Sequence, residues 1–355
     1  MTDQFGRVLD YLRISITDRC NLRCIYCMPY EGVEWKPHSS MLTFEELLRI
    51  CRVMAELGIR KIKVSGGEPL VRKGAPLFIK SLKEIPGIEQ ITLTSNGLLL
   101  PGFLDCLAGL PSGAGRFLAG INVSLDTLSG DVFARLARPL SAGASLGPEK
   151  ILEGIKQVRA LHIPVKINCV PMAGINEESL EDIALLAKDT VEAVRFIELM
   201  PLGCASGLKP LAAGEASPGG FLRPAGIPGK TVRSILEKRF GPLARTNEKL
   251  GNGPAVYYRL KNFRGALGFI DALTGGFCEN CNRLRLTPEG LLKPCLSSDI
   301  AVDLNALLRG GASDAELALV IKSLGAKKPA SHSFSGIYGN KIEEHAHKDM
   351  FRIGG

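Results

Sequence analysis

Aromatic residues are scarce in this chain of 355 residues: 6% in all, with one tryptophan, alongside five histidines. A nucleic-acid surface interleaves aromatic side chains with clustered basic ones. This sequence has neither such a run nor a basic tail, which argues against nucleic acid as a partner. Long apolar runs are missing too. No stretch approaches the roughly 20 residues needed to cross a bilayer, so no membrane contact is expected. Asp3, Arg7, Asp10 and Arg13 break each apolar run near the start, which leaves no signal peptide and predicts a cytoplasmic protein. Neither charged nor apolar content is extreme, at 23% and 45%, which excludes extensive disorder.

Two compositional features point to chemistry. Lys and Arg number 44 against 36 Asp and Glu, a net charge of +8, which favours an anionic partner such as a nucleotide or phosphate ester. Ten cysteines in a reducing compartment point to metal or catalytic roles before disulfides. Cys51, Cys106, Cys169 and Cys204 stand alone and read as small buried hydrophobes. The other six fall into two groups.

Six short apolar, β-rich runs recur: Leu12–Thr17, Ile62–Ser65, Ile91–Thr94, Ile121–Leu125, Val165–Val170 and Val194–Leu199. They are nearly continuous, as in parallel strands covered on both faces. Helices are predicted between most of them. Thr43 and Glu46 form a capping box ahead of a helix to about Leu57, which Gly58 stops. Pro148 opens a second helix and Asn176 caps a third. The alternation predicts an α/β fold, an incomplete (β/α)6 barrel resembling a TIM barrel, with its chemistry at the strand ends. Gly- and Pro-rich stretches at 113–120 and 204–229 read as insertions. A helix over Thr231–Phe240, strands at Val256–Leu260 and Ala266–Ile270 and a cysteine cluster then make up an α+β C-terminal region. The expected division is 1–230 and 231–355.

Just past the first strand comes Cys20-Asn-Leu-Arg-Cys24-Ile-Tyr-Cys27. Three thiolates at this spacing can hold one face of an iron–sulfur cluster and leave one iron open. Zinc would want a fourth ligand nearby, and the nearest histidine is the distant His38. The spacing, with Tyr26 before the last cysteine, resembles the signature of radical S-adenosylmethionine (radical SAM) enzymes. The resemblance extends to Ser65-Gly66-Gly67-Glu68-Pro69, whose glycines let backbone approach a ligand closely.

The second group is Cys278-Glu-Asn-Cys281 with Cys295. Taken alone it reads as part of a zinc ribbon completed by His332 or His345, or as a second cluster with an open iron. Asn282-Arg283-Leu284-Arg285 between these cysteines offers planar cationic donors suited to phosphate or a nucleobase edge. With the C-terminal Gly354-Gly355, and with Thr94-Ser95-Asn96-Gly97, Asn122–Asp126 and Arg195–Pro201, nearly the whole chain is similar to the molybdenum cofactor biosynthesis protein A family of GTP 3′,8-cyclases.

That resemblance implies two [4Fe-4S] clusters, on Cys20, Cys24, Cys27 and on Cys278, Cys281, Cys295, with S-adenosylmethionine beside Tyr26, Gly67, Ser124 and Met200. It implies GTP among Arg13, Lys63, Thr94, Lys166, Arg283, Leu284 and Arg285, with Arg283, Arg285, Gly354 and Gly355 at the reacting centre. Lys63 stands where many members carry arginine. A lysine within the strand Val165–Val170 is costly without an anion, which independently favours Lys166 as a ligand residue. The implied partners are a reductant protein and the cyclic pyranopterin monophosphate synthase that takes the product, and the chain is expected as a monomer or homodimer. No general acid or base is apparent, and hydrogen-atom transfer demands none. A peptide maturase with an auxiliary cluster is the nearest rival, and a zinc-stabilised nucleic-acid-binding protein the more distant one.

Overall fold

Local chemistry places the first helix. Glu46 N–H donates to Thr43 Oγ1 at 3.1 Å and Thr43 N–H to Glu46 Oε2 at 2.7 Å, closing the capping box, and Leu47, Ile50, Cys51, Val53 and Met54 are turned inward. Gly58, at φ +97°, supplies the left-handed exit. In a computed structural model, residues 1–29, 32–108, 118–140, 146–207 and 225–332 are described. The first part of the chain runs β1 (Tyr11–Ser15), α1 (Phe44–Glu56), β2 (Lys61–Ser65), α2 (Ala75–Lys83), β3 (Gln90–Ser95), α3 (Leu100–Ala108), β4 (Gly120–Ser124), α4 (Gly130–Ala137), α5 (Pro148–Ala160), β5 (Val165–Cys169), β6 (Met172–Ala173), α6 (Leu180–Asp189) and β7 (Ala193–Ile197). After it come β8 (Ala225–Gly226), α7 (Gly229–Phe240), β9 (Ala244–Thr246), β10 (Val256–Arg259), β11 (Ala266–Ile270), β12 (Arg283–Leu286), β13 (Leu291–Lys293), β14 (Val302–Asp303), α8 (Leu304–Arg309) and α9 (Asp314–Ala326).

The six predicted strands are β1 to β5 and β7, all parallel neighbours in one sheet ordered β14-β13-β12-β1-β2-β3-β4-β5-β7-β11-β10-β9. The α+β C-terminal region does not stand apart from them. Its β12 pairs in parallel with β1 and its β11 in parallel with β7, so it flanks the barrel strands on both sides. Behind the sheet, Phe196 of β7 stacks on Phe269 of β11 with ring centroids 5.7 Å apart, and this apolar pair fixes the second junction.

Two local expectations change. Strands β1, β4 and β7 are buried nearly throughout, but β2, β3 and β5 alternate: in β5, Val165, Ile167 and Cys169 are buried while Lys166 and Asn168 are half-buried. Every second residue thus turns from the helix-covered face to the barrel interior, which is polar. Asn176 does not cap α6 with its side chain. Its Oδ1 accepts from Met172 N–H at 2.8 Å, and its Nδ2 donates to Asp126 O and Val170 O at 2.9 and 3.0 Å. A fully buried amide is held by whichever backbone groups most need partners, here those of the loop after β5. Of the insertions, 113–117 and 208–224 lie outside the described residues.

Candidate active site

Cross-strand register assembles the site. Arg13 lies level with Lys63 on one side and with Arg285 on the other, and Asn168 lies level with Arg195 and Gly268. Arg13, Lys63, Arg285, Asn168 and Arg195 face a cavity of about 280 Å³. Gly268 makes room for the arginine, since a Cβ there would come within 2.9 Å of Arg195 Cγ. Arg195 Nη2 in turn donates to Asn122 Oδ1.

The two cysteine groups occupy opposite mouths of this cavity. Cys20, Cys24 and Cys27 follow β1 and share the C-terminal ends of the strands with Gly67 after β2, Asn96 after β3 and Asp126 after β4. Cys278 and Cys281 precede β12, which runs parallel to β1, and Cys295 follows its antiparallel partner β13. The second group therefore lies at the N-terminal end of the barrel. A five-residue strand separates the groups by on the order of 15 Å.

Between them the charge is almost wholly positive. Burial, then Arg13, Arg195, Lys166 and Arg283, push the Lys63 ammonium well below its usual range. Burial, with Arg283 and Arg195 adding to it against Tyr11, lowers Arg13 to about 10. Burial with Arg13 and Arg283 lowers Arg285 strongly, and Cys295 and Cys281 oppose the shift. Such depression reflects burial and mutual repulsion, and an anion entering the cavity would offset both. Thr94 Oγ1, Asn168 Oδ1, Arg195 Nε and Glu198 Oε1 are buried with no hydrogen-bond partner among the described residues, and all four residues line the cavity.

The donor chemistry fits two iron–sulfur clusters. All six cysteines are partly accessible, lie on the wall of one cavity and form no disulfide among the described residues. Among the described residues no three His, Cys, Asp or Glu side chains meet around a single ion position; thiolates on a multi-iron cluster bind separate irons and do not converge on one point. The electrostatics of the groups differ. Burial and Glu68 raise the Cys20 thiol to about 11. Burial also opposes ionisation of Cys281, yet Arg283 and Lys328 bring it down to about 6.

The Gly-Gly pair has a reason of its own. A Cβ on Gly67 would stand 2.4 Å from Arg19 O and one on Gly66 2.7 Å from Thr17 O. Gly67 N–H and Glu68 N–H donate to Thr17 O and Arg19 O, each at 2.8 Å. The glycines thus bring the turn after β2 against the backbone leading into Cys20. Buried Glu68 accepts from Leu70 N–H, Ser95 Oγ–H and Asn96 N–H. Tyr26 is held from behind, its hydroxyl donating to Asp126 Oδ2 at 2.9 Å while Asp126 Oδ1 accepts from Val170 N–H at 2.7 Å.

Of the residues assigned from sequence, Arg13, Tyr26, Lys63, Gly67, Thr94, Ser124, Met200, Arg283, Arg285 and all six cysteines line the cavity. The Leu284 side chain does not: it is 0% exposed in the apolar core on the other face of β12. Lys166 is one turn of the strand below Asn168 and off the cavity wall, near Gly251. Gly354 and Gly355 lie outside the described residues. Of the lone cysteines, Cys51 and Cys169 are buried, Cys204 is half-buried and Cys106 is exposed. Sequence reasoning gave no site role to Arg195, Asn168, Glu198 and Lys328, which also face the cavity, as does His332, considered there only as a zinc ligand. Arg195 was findable by the argument applied to Lys166, because it is a charge inside the apolar run Val194–Leu199. Lys328 carries no local signal.

Comparison with known proteins agrees with this geometry. The Radical SAM superfamily matches residues 14–187 and the family Molybdenum Cofactor Synthesis C matches residues 192–334. The GTP 3′,8-cyclase of Pelotomaculum thermopropionicum is 43% identical over 333 residues, covering 94% of this chain and 95% of its own. That of Peptoclostridium acidaminophilum is 41% identical over 357 residues, covering 100% and 98%. Among solved structures, Streptococcus suis SuiB bound to S-adenosylmethionine shares the fold, with a TM-score of 0.54 at 14% identity over 88% of this chain and 68% of that one. A strand-end cysteine triplet, a second triplet behind two arginines and full-length likeness to these relatives lead to one conclusion: the chain belongs to the GTP 3′,8-cyclase family of radical S-adenosylmethionine enzymes.

Proposed function

We propose that this chain converts GTP to its 3′,8-cyclised 7,8-dihydro triphosphate, the first step of molybdenum cofactor biosynthesis; its relatives are named GTP 3′,8-cyclases. The observation that carries the reading is the row of buried cations between two cysteine triplets in one cavity. Arg13, Lys63, Arg195, Arg283 and Arg285 would bind the triphosphate and the guanine edge, and their mutual repulsion would be relieved by that charge. Cys20, Cys24 and Cys27 would hold one [4Fe-4S] cluster and Cys278, Cys281 and Cys295 a second. Tyr26, Gly67, Ser124 and Met200 would shape the site of S-adenosylmethionine.

When bound, the first cluster and S-adenosylmethionine supply one-electron cleavage of the sulfonium and hence abstraction of a ribose hydrogen. The protein's part is position and exclusion of water. The apolar sheet face and its helices close the barrel wall, while Asp126 and Glu68 fix the loops on which Tyr26 and Asn96 stand. Gly354 and Gly355 are proposed to reach the same centre, a reductant protein to supply electrons, and a synthase to take the product. A peptide substrate is disfavoured by a cavity so strongly cationic. The two parts, 1–230 and 231–355, are proposed to act as one unit because their strands share a sheet.

The test is anaerobic reconstitution with iron and sulfide, then S-adenosylmethionine, reductant and GTP. Deoxyadenosine and a cyclised nucleotide appearing together establish the activity. Deoxyadenosine with GTP unchanged sinks the substrate, and zinc in place of iron sinks the whole reading.

A further inference from the structure

Lys328 is a lysine with 2% of its surface exposed, and among the described residues no carboxylate is one of its partners. Its ammonium donates to Arg283 O at 2.8 Å and to Pro294 O at 2.6 Å, with the Cys281 sulfur as a third partner. Pro294 immediately precedes Cys295, and Arg283 lies two residues beyond Cys281. One buried cation therefore ties together the strands that carry two of the three cysteines. The third is reached from outside. Arg7 Nη1 donates to Cys278 O at 2.7 Å and to Ala330 O at 3.0 Å, while its Nη2 donates to Pro329 O at 2.6 Å. Asp3 balances Arg7 through a 2.6 Å ion pair.

Cys278, Cys281 and Cys295 are thus held by two cations from the ends of the chain, joined through the segment Lys328–Ala330. Burying an ammonium on neutral carbonyls is costly, and the arrangement is explained if the full charge is offset by thiolates. On the reading that these cysteines hold a second cluster, we infer that Lys328 is its positioning residue: with Arg7 it latches the three ligand-bearing segments, and it places a fixed positive charge against the cluster. A positive charge held next to a redox centre favours the state with the extra electron. At the first triplet the charge is mixed: Arg23 donates to Cys20 O at 2.8 Å and Arg138 to Arg23 O and Met28 O at 2.7 and 3.1 Å, but the carboxylates of Glu68 and Asp126 also face the thiols there.

The test uses the full chain with Cys20, Cys24 and Cys27 replaced by alanine, so that all bound iron reports the second site. Iron and sulfide are counted after reconstitution, and the midpoint potential is taken by electron paramagnetic resonance titration. With Lys328 intact, iron should bind. No iron there sinks the two-cluster reading itself, a failure distinct from that of the inference. Lys328→Met is expected to lower iron occupancy at least twofold and to shift the potential of what remains to more negative values. Iron lost while circular dichroism shows a folded barrel supports the latch. Full occupancy at an unmoved potential overturns it. Should Lys328→Met not fold, Arg7→Gln decides: it leaves the lysine in place but frees Cys278, so reduced occupancy supports the latch and unchanged occupancy overturns it.

Discussion

Single side chains in the cavity serve binding at the expense of stability, and Lys63 shows this most directly. Its ammonium is buried among Arg13, Arg195, Lys166 and Arg283, so the charged form is unfavourable until an anion arrives. Lys63→Met should therefore raise the stability of the ligand-free chain while weakening nucleotide affinity about tenfold or more, the value of a charge-assisted hydrogen bond of ~1.5–3 kcal/mol. Denaturant unfolding and calorimetric titration with GTP read the two effects, and parallel losses would refute the account. Gly67 makes the opposite case, since its absent side chain is structural. A Cβ would meet the Arg19 carbonyl at 2.4 Å, so Gly67→Ala should destabilise by roughly 1–3 kcal/mol, the usual cost of overpacking. It should also lower the iron bound by the first triplet, because that loop must move.

Elements are set by their ends and their faces. Helix α1 has a complete capping box at Thr43 and Glu46, and Thr43→Ala should cost about 1 kcal/mol in denaturant unfolding. Glu46 is also paired with Arg309 at 3.1 Å, so it stays in place and the loss is confined to one N–H. The capping box was legible because its partners lie three residues apart. The alternation within the strands was harder to read. Lys61, Lys63, Thr92 and Thr94 stand at every second position of β2 and β3, between buried Ile62, Val64, Ile91 and Leu93. Over five residues a single lysine among apolar neighbours does not establish a period, so a polar interior passed for a fully covered strand. Asn176 was misjudged for a related reason: an Asn ahead of a helix has a default role, and only the loop folded over it supplies better partners.

At the scale of the molecule, the barrel brings charges of one sign to one place, and pH should expose it. Burial and Arg195 lower Lys166 to about 8 from 10.5, with Glu192 opposing. Its native pKa lies below the unfolded one, so the unfolded chain binds more protons between these values. This group's contribution to stability is therefore unfavourable below about pH 8 and is relieved as pH rises through 8 towards 10.5. Lys166→Met should flatten this profile in denaturant unfolding measured from about pH 7 to 10. Stability that rises equally in the variant would assign the titration elsewhere.

The order of strands and helices, the two cysteine triplets and the turn after β2 were determined by the sequence itself, because each is encoded within a few residues by period, cap or spacing. Only the tertiary structure decided that the triplets lie at opposite mouths of one cavity. That depends on β12 pairing in parallel with β1, a contact between Leu12 and Leu284 that no local pattern announces. The same long-range register set Arg13 beside both Lys63 and Arg285 and turned Leu284 away from them. Arg7 was carried to the backbone of Cys278, 271 residues along the chain. Spacing can encode which atoms bind iron, whereas the charge around that iron is set by residues that meet only after the sheet has formed.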